Sequence, residues 1–381
     1  MSSGDPALAL LKRLVAIDSV NPSLVAGAAG EAVVARALAE ALQQIGLEVH
    51  LQEAAPGRPN VIGVLEGRAR GRSLMFCGHV DTVGVAGMTR PFDPAERNGR
   101  LYGRGAQDMK SGVAAMVAAA RQIAESGGLE AGRLIVACVV DEEHASVGAE
   151  ALVTRWRADG AVVTEPTDLA VAIAHKGFEW VEVETEGRAA HGSRPRDGRD
   201  AILRMGRVLN ELEALDRRLQ AGHAHPLVGA ASLHASLIEG GRELSSYPDR
   251  CSLQIERRSI PGEAEGAAGH EVSRILDALR AGDPEFVGAS RTVFARAPYE
   301  IDAAHELPRA LVAAAGAVGH TSAMIGMSFW TDAAILGGAG IPSVLFGPTG
   351  AGLHGLEEWV DTQSVLTCRD ALVQLVRMWC R

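Results

Sequence analysis

Several short stretches of this 381-residue chain carry residue types that bind divalent cations and move protons. His79 and Asp81 stand in GHVD, Asp108 in GRGAQDMKSG, Glu142 and Glu143 in DEEH, Glu165 in EPT, and His354 in GLHG. Two imidazoles and three carboxylates (Asp108, Glu143 and Glu165), with Asp108 able to bridge, form a donor set for two divalent ions roughly 3.5–4 Å apart, the spacing of two-metal hydrolases. Nitrogen and oxygen donors without thiolate favour Zn, and Co or Mn fits the same set. Three such carboxylates and one bridging hydroxide bring two divalent ions to zero net charge. Glu142 is then left over, as a carboxylate that can take a proton from the attacking water and pass it to a leaving amine. Asp81, two residues from His79, can accept the second ring N–H and fix the tautomer that offers a free nitrogen to metal.

Taken singly these signals are weak: an HxD is often a loop histidine, and an EE pair is usually solvated surface charge. Position joins them. Each follows its own apolar run, at 73–77, 134–140 (LIVACVV), 161–164 (AVVT) and 343–347 (SVLFG). In open α/β sheets ligands gather where strands end at their carboxyl edge.

The elements that must supply those edges alternate along the chain. Helical spacing covers 30–46, 110–126 and 149–157, interleaved with strands at 60–65, 73–77, 134–140 and 161–164, which predicts a doubly wound, mostly parallel α/β sheet. After His175 the rhythm changes. Residues 178–187 alternate as a strand, 200–219 read as an amphipathic helix, strands follow at 232–239 and 250–258, then a helix at 263–281 and a strand at 291–297. That β-α-β-β-α-β order is the ferredoxin-like arrangement. The α/β style returns with a helix at 307–318, the strand at 343–347 and a helix at 362–380. The expected organisation is a catalytic domain of residues 1–174 and 298–381, with residues 175–297 inserted as a second domain. No repeat of fixed period and no low-complexity tract interrupts it.

Composition narrows the partners. The 37 basic and 47 acidic residues give a formal charge of −10, which opposes attraction to phosphate backbones and anionic lipid, so neither nucleic acid nor a membrane is expected. No apolar run approaches the ~20 residues that span a bilayer. Five scattered cysteines without CxxC spacing, and an N-terminus that reads as an amphipathic helix rather than a signal peptide, predict reduced thiols and a cytoplasmic setting. His144, His223, His225, His234 and His320 read as structural or solvent-facing.

In the motifs GHVDTV, GRGAQDMKSG, DEEH, EPT, GRAAHGSRP, RRSIPGE, FWTDA and GLHG, and in their order, nearly the whole chain resembles the M20 family of metallopeptidases and deacylases. This family includes acetylornithine deacetylase, succinyl-diaminopimelate desuccinylase and glutamate carboxypeptidase. The resemblance implies that His79, Asp108 and Glu165 hold one metal, that Asp108, Glu143 and His354 hold the other, and that Glu142 is the general base. It also implies a homodimer formed through the inserted lid domain, with His191 reaching the partner subunit's site to polarise the scissile carbonyl. By the same analogy Arg258 binds the substrate carboxylate, while Arg257 points to the opposite face of the strand. Ser245 stands where many relatives have a substrate-binding asparagine; Thr331 lines the pocket, and its neighbour Asp332 is structural. The function expected is hydrolysis of a small N-acyl amino acid, acetylornithine deacetylase-like, by metal-bound hydroxide and Glu142. The alternatives are a metallo-dipeptidase or carboxypeptidase of the same family, or a non-catalytic relative that binds an amino-acid derivative.

Overall fold

A computed structural model describes residues 4–381. The described chain divides into two compact units: residues 4–173, 301–325 and 331–381 form the first, and residues 174–300 with 326–330 the second.

The first unit is built on a mixed sheet. Its middle consists of four parallel strands in the order Ala131–Val139, Ala69–His79, Ala161–Val163 and Ser343–Leu345. Apart from the exposed start of Ala69–His79, their residues are buried almost without interruption, as strands covered on both faces must be, and they read as apolar runs rather than as alternation. The sheet is less parallel than the sequence predicts. On one side the hairpin Glu48–Ala55 and Arg58–Glu66 adds antiparallel strands, and on the other Val171–His175 pairs antiparallel to Ser343–Leu345. The first hairpin strand escapes notice because it is largely exposed and mixes His, Gln and Glu with its apolar residues. A small second sheet of Ala95–Arg97, Arg100–Tyr102, Trp359–Asp361 and Gly350–Ala351 also had no sequence signal, its strands being only two or three residues long.

Helices Pro6–Val15, Lys110–Glu125, Glu306–Ala317 and Thr362–Trp379 pack against one another beside this sheet. Two begin with an aspartate cap. Asp5 caps Pro6–Val15 by accepting the Ala7 N–H at 2.8 Å, with proline in the first turn, and Asp361 caps Thr362–Trp379 by accepting the Ser364 N–H at 2.8 Å. Helix Lys110–Glu125 approaches the sheet closely because Gly112 lacks a side chain; a Cβ there would lie 1.9 Å from the Thr164 carbonyl oxygen.

The second unit is a four-stranded antiparallel sheet in the order Ser232–Gly240, Arg250–Ser259, Gly177–Glu186, Val287–Arg296. Helices Ala201–Ala221 and Ala267–Gly282 cover one face. Strand Gly177–Glu186 alternates accordingly: Val181 and Val183 join Leu253, Ile255, Val208 and Val272 in the core, while Trp180, Glu182, Glu184 and Glu186 point the other way. All five cysteines are buried and unbridged, and among the described residues no helix is long and apolar enough to cross a membrane.

Candidate metal centre

The four parallel strands deliver their chemistry at one edge. His79 ends Ala69–His79, Glu142 and Glu143 follow Ala131–Val139, Glu165 follows Ala161–Val163, and His354 lies beyond Ser343–Leu345. Asp108 comes from the loop before helix Lys110–Glu125, where the Asp108–Met109 peptide is cis.

Asp108 lies between the two histidines. Its Oδ1 is 3.2 Å from Nε2 of His79, and its Oδ2 is 3.5 Å from Nε2 of His354. His354 Nε2 also stands 3.1 Å from Glu143 Oε2. His79 Nε2 is 3.9 Å from both Glu165 Oε1 and Glu142 Oε2, so Glu142 approaches it as closely as Glu165 does. Donor atoms of His79, Asp108 and Glu143, and likewise of His79, Glu142 and Glu165, fall within 4.8 Å of one another. The cluster is enclosed except at His354, whose side chain is 55% exposed and which has a positive φ of 57°.

Burial pushes the Glu142 and Glu165 carboxyls well above the usual carboxylate range, with His79 opposing and the neighbouring acids, Asp332 among them, adding. Burial also acts upward on Asp108, but hydrogen bonds with His354 and His79 outweigh it and hold its carboxyl low. His354 is pushed up to about 10 by Asp108 and Glu143. So many buried acids repel one another as bare carboxylates and must hold either protons or cations. Imidazole nitrogens and carboxylate oxygens converging in this way fit divalent cations, which His79, Asp108, Glu143, Glu165 and His354 would hold and which would act there as Lewis acids.

Buried polar groups fix this geometry, and most of them carry no sequence signal. Asp81 is fully buried. His79 Nδ1 lies 3.1 Å from the Asp81 carbonyl oxygen and 3.5 Å from its carboxylate, so the backbone is the nearer acceptor for the ring N–H. The carboxylate instead accepts the N–H groups of Glu142 and Glu143, each at 3.2 Å, and the Asn21 amide at 2.8 Å. Asn21 donates also to Asp141 at 3.1 Å; Asp141, at φ 70°, turns the chain into the two glutamates. Arg58 lies 2.8 Å from Asp141 and grips the buried Glu31 through Nε at 2.8 Å and a second, shorter contact. On the other side Glu358, 1% exposed, accepts the N–H groups of Gly105 (3.0 Å), Gln107 (2.8 Å) and Asp108 (3.0 Å) and pairs with Arg104 at 2.7 Å. The one hint in the sequence is that Glu358 stands four residues after His354, in a Glu–Glu doublet like that at 142–143.

The remaining residues singled out from the sequence do not join this cluster. Thr331, in the first unit, is fully buried, and its hydroxyl accepts the Ala333 N–H at the start of the short helix Ala333–Gly338. His191, Ser245 and Arg258 belong to the second unit. There the Gly192 N–H donates to the Ser245 carbonyl at 2.7 Å, and exposed His191 holds the Ser193 hydroxyl at 2.8 Å through Nδ1. Arg257 is buried and forked onto Glu263 and Glu271, whereas Arg258 lies on the opposite face, its Nε 2.7 Å from Glu256.

Residues 75–378 match the model of peptidase family M20/M25/M40. The chain is 32% identical over 340 residues to an acetylornithine deacetylase of Myxococcus xanthus, spanning 87% of this chain and 86% of that one. It is 30% identical over 372 residues to an N-formyl-4-amino-5-aminomethyl-2-methylpyrimidine deformylase of Bacillus subtilis, spanning 89% and 87%. Its fold is similar to that of aminopeptidase PepT from Bacillus cereus (TM-score 0.82, 18% identity, 99% and 98% of the two chains). It is also similar to a dinuclear metal-binding M20 peptidase of Bacillus subtilis (TM-score 0.76, 15% identity, 98% and 97%). The chain belongs to peptidase family M20/M25/M40, whose members hydrolyse amide bonds.

Proposed function

We propose that this protein hydrolyses the amide bond of a small N-acyl amino acid, in the manner of acetylornithine deacetylase. The observation that carries the reading is Asp108, whose two oxygens face different histidines, each with its own carboxylate neighbours. Two divalent ions bound there, of which Zn fits the donors best, would polarise the scissile carbonyl and acidify water. The protein's own part is then proton transfer and orientation. Glu142 takes a proton from the attacking water and returns it to the leaving amine, so one carboxylate acts as base and then acid. Its burial, which raises its proton affinity, suits that exchange. Asp81 aims both Glu142 and Glu143 by holding their backbone N–H groups.

A deacylase is favoured over a dipeptidase or carboxypeptidase by the two relatives above, both named for removing an acyl group. A non-catalytic binding protein has no use for Glu142. In the second unit, His191 is exposed with one ring nitrogen anchored, which suits a donor to the carbonyl oxygen in the partner subunit's site. The unit's edge strand Ser232–Gly240 carries exposed Leu237 and Ile238, and helix Ala201–Ala221 carries exposed Leu203, a surface that suits a homodimer. The acidic chain and the five buried thiols suit the cytoplasm.

Glu142→Gln tests the reading. Turnover of N-acetyl amino acids falls by at least ~100-fold while the number of bound ions stays the same. Turnover that survives the substitution would contradict the assigned base.

A further inference from the structure

The segment that follows helix Pro6–Val15 supplies none of the converging donors, yet it is fastened to the elements that do. Lys110, buried at the start of helix Lys110–Glu125 and two positions after Asp108, donates from Nζ to the Leu14 and Ile17 carbonyls at 3.0 and 2.8 Å. Further along, the Asn21 N–H donates to the Thr82 carbonyl at 2.9 Å and the Thr82 N–H to the Ser19 carbonyl at 3.0 Å. Main chain alone therefore stitches residues 19–21 beside Thr82, the neighbour of Asp81.

The fully buried side chain of Asn21 uses both ends of its amide. Pro22 follows it and has no N–H, so Asn21 Oδ1 accepts the next one in the chain, from Ser23, at 2.8 Å. The opposite end donates one N–H to Asp81 at 2.8 Å and one to Asp141 at 3.1 Å. The reverse orientation would set an oxygen against two carboxylates, which is repulsive.

Those two carboxylates hold the turn that carries Glu142. Asp81 accepts the Glu142 and Glu143 N–H groups, each at 3.2 Å. Asp141 directly precedes Glu142 and accepts the Val147 N–H at 3.4 Å, closing the turn from its far side. Both aspartates are buried, so their charges repel unless a donor lies between them. Arg58 reaches Asp141, but among the described residues no side chain other than Asn21 donates to both.

We propose that Asn21 is a positioning residue for the proton-transfer step: by donating to Asp81 and Asp141 together it sets the turn 141–143 and hence the place of the Glu142 carboxylate. The inference rests on the amidohydrolase reading in taking Glu142 as the base. Asn21 touches neither substrate nor the reacting atoms and acts only through the two aspartates.

The test compares Asn21→Ala and Asn21→Asp in the full-length protein. Hydrogen exchange of metal-free Asn21→Ala, read by peptide mass spectrometry, is expected to quicken about ten-fold over 141–147 and to stay unchanged over strand residues 134–139, which reports that the variant is folded. With saturating Zn²⁺, kcat for N-acetyl amino acids falls by ~10–100-fold while KM moves by less than about three-fold. Asn21→Asp keeps the shape and the Ser23 contact but offers no N–H, so it loses at least as much as alanine. In a Glu142→Gln background the further change Asn21→Ala alters the residual rate by less than about three-fold, because the group it positions is already gone. Unchanged exchange over 141–147, an Asn21→Asp protein with the unsubstituted kcat, or losses that multiply with Glu142→Gln would each overturn the proposal. If the unsubstituted protein hydrolyses no N-acyl amino acid, the amidohydrolase reading falls, and the exchange measurement alone decides whether Asn21 holds the turn.

Discussion

Glu358→Ala removes one buried carboxylate and, with it, four hydrogen bonds that shape the Gly105–Asp108 loop. Arg104, only 3% exposed, keeps two carbonyl acceptors, those of Gly84 and Gly355, but loses its counter-ion. Leaving a buried charge without its partner costs about 3–5 kcal/mol. Three backbone N–H groups lose their acceptor at the same time, each worth ~1–3 kcal/mol if water cannot replace it. The expected loss of stability is therefore at least about 3 kcal/mol, read from urea denaturation of the metal-free protein. The consequence for the site is separate. On the proposed reading Asp108 would serve both ions, and its own N–H is one of the three released, so affinity for the second divalent ion is expected to fall by ~10–100-fold, as on loss of other groups that orient ligands. Glu358→Gln retains an amide oxygen for the Gln107 and Asp108 N–H groups and so keeps more metal affinity than alanine while still losing the ion pair. The assay is calorimetric titration of metal-free protein with Zn²⁺. A Glu358→Ala protein that folds and binds two ions with unchanged affinity would refute the reasoning, because the loop would then hold Asp108 unaided.

Further expectations concern other parts of the molecule. Arg58→Leu strips the partner from buried Glu31 and Asp141 and is expected to destabilise by about 3–5 kcal/mol in urea denaturation; a loss below ~1 kcal/mol would contradict the assigned network. Burial depresses His175 from 6.5 to about 4. The unfolded chain therefore takes up this proton first as pH falls, so the contribution is intact above pH 6.5 and about 3 kcal/mol is lost by pH 4. His175→Phe should flatten that part of the stability profile, and an unchanged slope would exclude His175 as its source. If His191 serves the partner subunit's site, mixing inactive Glu142→Gln and His191→Ala subunits forms hybrid dimers with one intact site and recovers activity; no recovery after subunit exchange would place His191 elsewhere.

Most of the cluster could be read from sequence because His79, Glu142, Glu143, Glu165 and His354 each follow an apolar run, and such runs in a parallel sheet share one carboxyl edge, whereas Asp108 stands in the loop before helix Lys110–Glu125. The supports could not be read in the same way. Asn21 meets Asp81 across 60 positions and Asp141 across 120, and Glu358 meets Asp108 across 250. Neither a period nor local spacing links such pairs, and each residue type is ordinary in a surface loop. The antiparallel flanks of the sheet were hidden for a related reason. Strand Glu48–Ala55 has a single buried residue, Gln52, which is polar, so its pattern is that of a solvated edge rather than a core strand. In the second unit one bulged residue, Val293, shifts the register that simple alternation would assign to strand Val287–Arg296, so that Phe294 opposes Trp180.

Amine release from N-acetyl amino acids, N-succinyl amino acids and dipeptides, on metal-stripped protein with and without added Zn²⁺, Co²⁺ or Mn²⁺, tests the central claim most directly. The account predicts release from N-acyl amino acids that vanishes on stripping and returns with metal. Release that is indifferent to metal, or its absence across the panel with two ions bound, would contradict it.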